Sequence, residues 1–184
     1  MQGDRYTLIQ RLLHWLTALL VVLVLVCGGL FWAYGYNGLK ASFGQDTTNA
    51  IYLIHKSSGV LILFVMIPRL ILRTTLGAPA KLASLTPFER IASTAVQHSL
   101  YVALIAMPIV GWLATAAGGF PIEFFGTTLP GLIGKDKALS DTLYTVHSWL
   151  ALVILALATL HVAGAMRHWL IKKDGLMHRM SLFG

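Results

Sequence analysis

Residues 139–171 read LSDTLYTVHSWLALVILALATLHVAGAMRHWLI, and this stretch decides the fold. Its two fully charged residues, Asp141 and Arg167, lie near opposite ends, and the 25 positions between them are apolar or weakly polar apart from two histidines. A helix needs about 20 apolar residues to cross roughly 30 Å of hydrocarbon, and this run exceeds that. In lipid the backbone must satisfy its own hydrogen bonds, so a helix is the reasonable form for it.

Three more runs of the same kind precede it, from about Leu8 to Tyr34, Thr48 to Leu72 and Phe88 to Ala117. The chain of 184 residues is 57% hydrophobic and 11% charged, where a soluble domain carries about a quarter charged residues. Seven acidic side chains cannot solvate so apolar a surface, so the solvent is lipid. The expected fold is all-α, a transmembrane four-helix bundle forming one domain over residues 1–184. The first run begins too late and is too long for a secretory signal, and it lacks a clean cleavage site, so it reads as a retained helix. Cys27, the only cysteine, reads as a packing residue.

The net charge of +7 does not point to nucleic acid, because the basic residues cluster at the ends of the apolar runs. One side of the bilayer receives Arg5, Arg11, Arg69, Arg73, Lys81, Arg90, Arg167, Lys172, Lys173 and Arg179. The other receives Lys40, Lys56, Lys135 and Lys137. The excess places both termini and the second loop in the cytoplasm, with residues 35–47 and 118–138 as outer loops. Trp15 and Trp169 then fall at the inner interface, and Trp32 and Trp112 at the outer one. Start signals are Thr86-Pro87-Phe88-Glu89, a capping box with proline at the first helical position, and Asp46-Thr47-Thr48 and Ser140-Asp141 for the second and fourth helices. Pro108 predicts a kink in the third.

Ionisable groups at membrane depth are costly and usually functional, so the seven histidines carry the functional reading. His147 and His161 lie 14 residues apart on one helix. They share a face to within about 40°, with a separation of about 21 Å along the axis. His14 and His55 each lie early in their own antiparallel helices, His14 at the depth of His161 and His55 at that of His147. Two layers of paired imidazoles result, the arrangement that axial ligation of a haem iron requires. His168 shares the face of His161 but sits nearer the membrane edge, so His161 is preferred. His98 reads as an interhelical hydrogen-bonding residue and His178 as a solvated tail residue. Gly28, 14 residues after His14, and Gly59, one turn from His55, would let a flat macrocycle approach the backbone, although glycines also serve simple packing. Arg69, 14 residues after His55, is placed to meet a haem propionate or to anchor the inner surface.

These residues resemble the prokaryotic cytochrome b561 family across nearly the whole chain. The resemblance is carried by His14-Trp15, Ile54-His55-Lys56-Ser57-Ser58-Gly59, Met107-Pro108-Ile109-Val110-Gly111-Trp112, Phe125-Gly126, Leu129-Pro130, the histidines of the fourth helix, Lys173-Asp174 and Arg179-Met180. It implies two non-covalent b haems held by the first, second and fourth helices, and electron exchange with the quinone pool. One branch resembles a superoxide:ubiquinone oxidoreductase. Related cytochrome subunits of hydrogenases and formate dehydrogenases share much of the layout, so the resemblance leaves the electron donor open.

Three functions are consistent with this reading. One is a free-standing oxidoreductase between a small outer donor and quinone. The second is an electron-transfer subunit docked to a larger enzyme through a redox partner protein. The third is a haem-free transporter whose histidines relay protons or metals. Lys40, Lys56, Lys135 and Lys137 would attract an anion such as superoxide, against the opposing charge of Asp46, Glu123, Asp136 and Asp141.

Overall fold

The computed structural model describes residues 4–183. Helix α1 spans Leu8–Phe43, α2 Gln45–Thr75, α3 Pro87–Ala117 and α4 Lys137–Arg167. All four are long and apolar enough to cross a bilayer. Their outward faces, including Leu19, Val22, Val102, Leu152 and Val162, are exposed, as a lipid-facing surface must be. The chain crosses the bundle four times as helix, so both described ends and residues 76–86 lie at one end, here called the terminal end. Gly44 and residues 118–136 lie at the other. The core between them is small: Leu20 and Val21 from α1, Ile62 and Met66 from α2, Ala103 from α3 and Ile154 from α4.

Local chemistry explains most of the boundaries. The Thr7 hydroxyl and the Gln10 side chain form a capping box at the start of α1, and Thr86 and Glu89 form the expected one at α3. Two expected starts are corrected. Helix α2 begins at Gln45, because Gly44 (φ 81°) turns the chain directly into it. Thr48 therefore lies inside the helix, where its hydroxyl donates to the Gly44 carbonyl at 2.8 Å. Helix α4 is capped by Asp136, which accepts from the Leu139 N–H at 3.0 Å. Ser140 instead donates to the Ala114 carbonyl of α3 at 2.9 Å.

The segments at the end opposite the termini are also more ordered than an apolar-run reading allows. Residues 36–43 are helical, separated from the membrane-spanning part of α1 by Gly35 (φ 61°, ψ 176°), a backbone conformation open essentially to glycine alone. Within residues 118–136, strands β1 (Ile122–Phe124) and β2 (Thr127–Leu129) form an antiparallel hairpin. Phe125 and Gly126, both at positive φ, make its two-residue turn. Helix α3 runs through Pro108 with helical backbone throughout. Beyond α4 the chain takes one turn of π-helix, His168–Lys172, which leads into a 3-10 turn at Leu176–Arg179.

Candidate functional site

Four histidines face one another in two pairs. At the terminal end, His14 enters from the second turn of α1 and His161 from α4, with ring centres 6.1 Å apart and planes at 60°. Toward the other end, His55 of α2 meets His147 of α4 at 6.2 Å and 68°. A metal bound to an imidazole lies about 2 Å from its nitrogen, and each nitrogen lies about 1 Å from its ring centre, so a metal between two imidazoles separates their centres by roughly 6 Å. Both pairs have that spacing. Among the described residues no cluster of three or more histidine, cysteine or carboxylate ligands exists. A metal held by either pair would have to bring its remaining ligands, as the iron of a macrocycle does.

The terminal pair is flanked by cationic and aromatic groups. Trp15 stands edge-on to His14 at 5.5 Å and donates its indole N–H to the Met180 carbonyl at 2.8 Å. That hydrogen bond ties the C-terminal segment to α1. Arg69 reaches this layer from α2. Its Nη2 donates to His14 Nδ1 at 3.2 Å, and its guanidinium lies over the Tyr101 ring at 5.5 Å. A guanidinium can only donate, so this contact leaves the His14 proton on Nε2. Arg69 thus belongs to the site layer rather than to the membrane surface.

Glycines and aromatics shape the second pair. Phe31 stands edge-on to His55 at 5.1 Å and stacks on Tyr52 at 4.2 Å. A Cβ at Gly28 would meet His55 Cε1 at 3.9 Å, whereas one at Gly59 would meet nothing within 4 Å. Gly111 of α3 is tighter, for a Cβ there would lie 2.9 Å from His147 Cε1 and 3.1 Å from its Nδ1. Both Nδ1 atoms of this pair are buried without a hydrogen-bond partner. The hairpin covers this end. Lys56 pairs with Glu123 at 2.9 Å, and the buried Ser57 hydroxyl accepts from the Phe125 N–H at 2.9 Å. Both residues directly follow His55 in the chain.

The remaining histidines stand apart from the pairs. His98 is exposed and bonds the Thr94 carbonyl of its own helix at 2.8 Å, which corrects the interhelical expectation. His168 is buried and pairs with Asp174 at 2.7 Å. His178 is exposed in the 3-10 turn, as expected of a solvated residue. Sequence reading missed the role of Gly111, because a single glycine in a membrane helix carries no mark of what lies opposite it. It also missed the clamp at Lys56 and Ser57, whose partners are about 67 residues away.

The family profile described as prokaryotic cytochrome b561 matches residues 5–181. The chain is 32% identical to "Cytochrome b561 homolog 2" of Escherichia coli (strain K12), over 96% of this chain and 91% of that protein. It is 26% identical to "Probable superoxide oxidase CybB" of Yersinia pestis, over 96% and 95%. It is 27% identical to "Cytochrome b562" of Cereibacter sphaeroides, over 97% and 96%. With the helical bundle, the paired imidazoles and a match along nearly its whole length, the chain belongs to the prokaryotic cytochrome b561 family, whose members carry electrons in the membrane on b-type haem.

Proposed function

We propose that the chain holds two b haems, one between His14 and His161 and one between His55 and His147, and passes electrons between a donor at the hairpin end and quinone. The observation that carries this reading is the pair of ring separations, 6.1 and 6.2 Å, in two layers with no third protein ligand among the described residues. The haem supplies one-electron carriage. With both imidazoles of a pair engaged, a bound haem would carry electrons rather than take up oxygen. Gly28 and Gly59 leave the backbone beside His55 clear. Arg69 is placed to meet a carboxylate in the His14 layer. Turning toward it frees His14 Nδ1 to carry the proton and Nε2 to ligate.

The excess of lysine and arginine at the terminal end supports placing that end in the cytoplasm and the hairpin outside an inner membrane. The printed name of the Yersinia relative supports superoxide as the outer donor. Lys56 and Lys137 are engaged by Glu123 and Asp141, so attraction of an anion rests on Lys40 and Lys135.

Detergent-purified protein is expected to contain two low-spin b haems per chain, reducible by superoxide and reoxidised by a short-chain ubiquinone. His147→Ala should lose the haem of the hairpin-end layer and His161→Ala that of the terminal layer. Full haem content in either variant overturns the ligand assignment. Reduction only through a stable co-purifying dehydrogenase would replace the free-standing oxidoreductase with a subunit of a larger enzyme.

A further inference from the structure

We propose that Gly111 is the positioning residue of His147: its missing side chain lets the imidazole lie against α3, which fixes the ring's rotation and directs Nε2 toward His55. The proposal rests on the two-haem reading but concerns a helix that supplies no ligand to either pair.

The geometry is specific to this glycine. A Cβ at Gly111 would stand 2.9 Å from Cε1, 3.1 Å from Nδ1 and 4.0 Å from Nε2 of His147, and would meet nothing else within 4 Å. Real Cβ atoms do not occupy such positions, so any other residue forces the ring to move. The order of the distances gives the ring's orientation. Its Nδ1–Cε1 edge faces α3 and its Nε2 is turned away. Nδ1 is buried without a partner. A ligating histidine ordinarily donates its other N–H to a carbonyl, which fixes both tautomer and rotation. No such acceptor engages Nδ1 of His147, so the bare backbone at position 111 is what sets the ring's rotation.

The facing histidine is held differently. His55 approaches Gly28, but a Cβ there would meet Cε1 at 3.9 Å, an ordinary contact. The two glycines therefore make unequal demands, which a packing role alone would not predict.

The test compares Gly111→Ala with Gly29→Ala, which faces open space. It reads haem content per chain, the low-spin electron paramagnetic resonance signals and the two midpoint potentials. Gly111→Ala is expected to weaken binding of the hairpin-end haem about 10-fold or to shift its signal and potential, with the terminal haem unchanged. Gly29→Ala should resemble the parent. Unchanged content, signals and potentials in Gly111→Ala overturn the proposal, as does an equal effect of Gly29→Ala. A double-mutant cycle on thermal unfolding keeps the test decisive if Gly111→Ala folds poorly. Gly111→Ala should lower the melting temperature of the parent but not that of His147→Ala, which has no ring to displace. Equal losses in both backgrounds sink the proposal. If instead His147→Ala retains both haems, the two-haem assignment is what has failed.

Discussion

Asp174 closes the C-terminal segment on the bundle. Burial opposes the charge of its carboxylate, but hydrogen bonds from His168, Ser84 and the Leu176 N–H outweigh that and hold its pKa below the ordinary carboxylate range. One carboxylate oxygen lies 2.7 Å from His168 Nδ1 and 2.9 Å from Ser84 Oγ, and the side chains of Asp174 and His168 are 10% and 8% exposed. A depressed carboxylate contributes stability that is present above its unfolded pKa and is lost as pH falls through the folded value. Hydrogen exchange over residues 168–183, corrected for intrinsic rates, should therefore show protection that is full at neutral pH and fades below about pH 4. Asp174→Asn should weaken that protection at neutral pH by about 1.5–3 kcal/mol for each charge-assisted bond impaired, and should flatten its acid dependence. Protection in Asp174→Asn equal to the parent's would show that the carboxylate is not what closes the segment. The sequence places Lys173-Asp174 after the fourth helix, but it does not show that Asp174 folds back onto His168. That contact depends on the π-turn and on Lys173 in the left-handed region (φ 51°).

At the scale of elements, long apolar runs announce themselves, whereas short connections do not. The third run, read as Phe88 to Ala117, is the helix Pro87–Ala117, and its capping box is present. Gly35 is harder to read, because tyrosines and an apolar run surround it and only its backbone angles mark a break. Gly35→Ala should cost about 1–3 kcal/mol in thermal unfolding, since alanine at φ 61°, ψ 176° is strained. Gly29→Ala, in open space and regular helix, should be neutral or slightly stabilising. Equal stability of the two variants would mean that the break at Gly35 is not required. Asp46 and Ser140 misled the reading of caps for a shared reason. Each is a good capping type, but a residue ahead of it starts the helix first: Gly44 by its φ of 81° and Asp136 by its bond to Leu139.

At the scale of the molecule, the placement of the histidines was legible because helical periodicity is rigid. Residues 14 apart return to nearly one face, and antiparallel neighbours match depths by simple counting. What counting cannot supply is the opposing surface, which is why Gly111 appeared only as part of a motif. Fluorescent-protein fusions at the C-terminus should glow in cells, and alkaline phosphatase inserted between residues 130 and 134 should be active, if positive charge orients the bundle as proposed. The opposite pattern would reverse which layer faces the donor. Helix α1 packs mainly on α2, and α3 mainly on α4. The connection at Gly44 is so short that the first two crossings form a single body. Each imidazole pair draws one ring from each such half: His14 and His55 from the first, His161 and His147 from the second. Neither half owns a complete clamp, so anything gripped by both rings of a pair acts as a rivet through the seam. Its affinity appears as adhesion between the halves, growing with occupancy, and loss of the guest would loosen the seam before it disturbed either half.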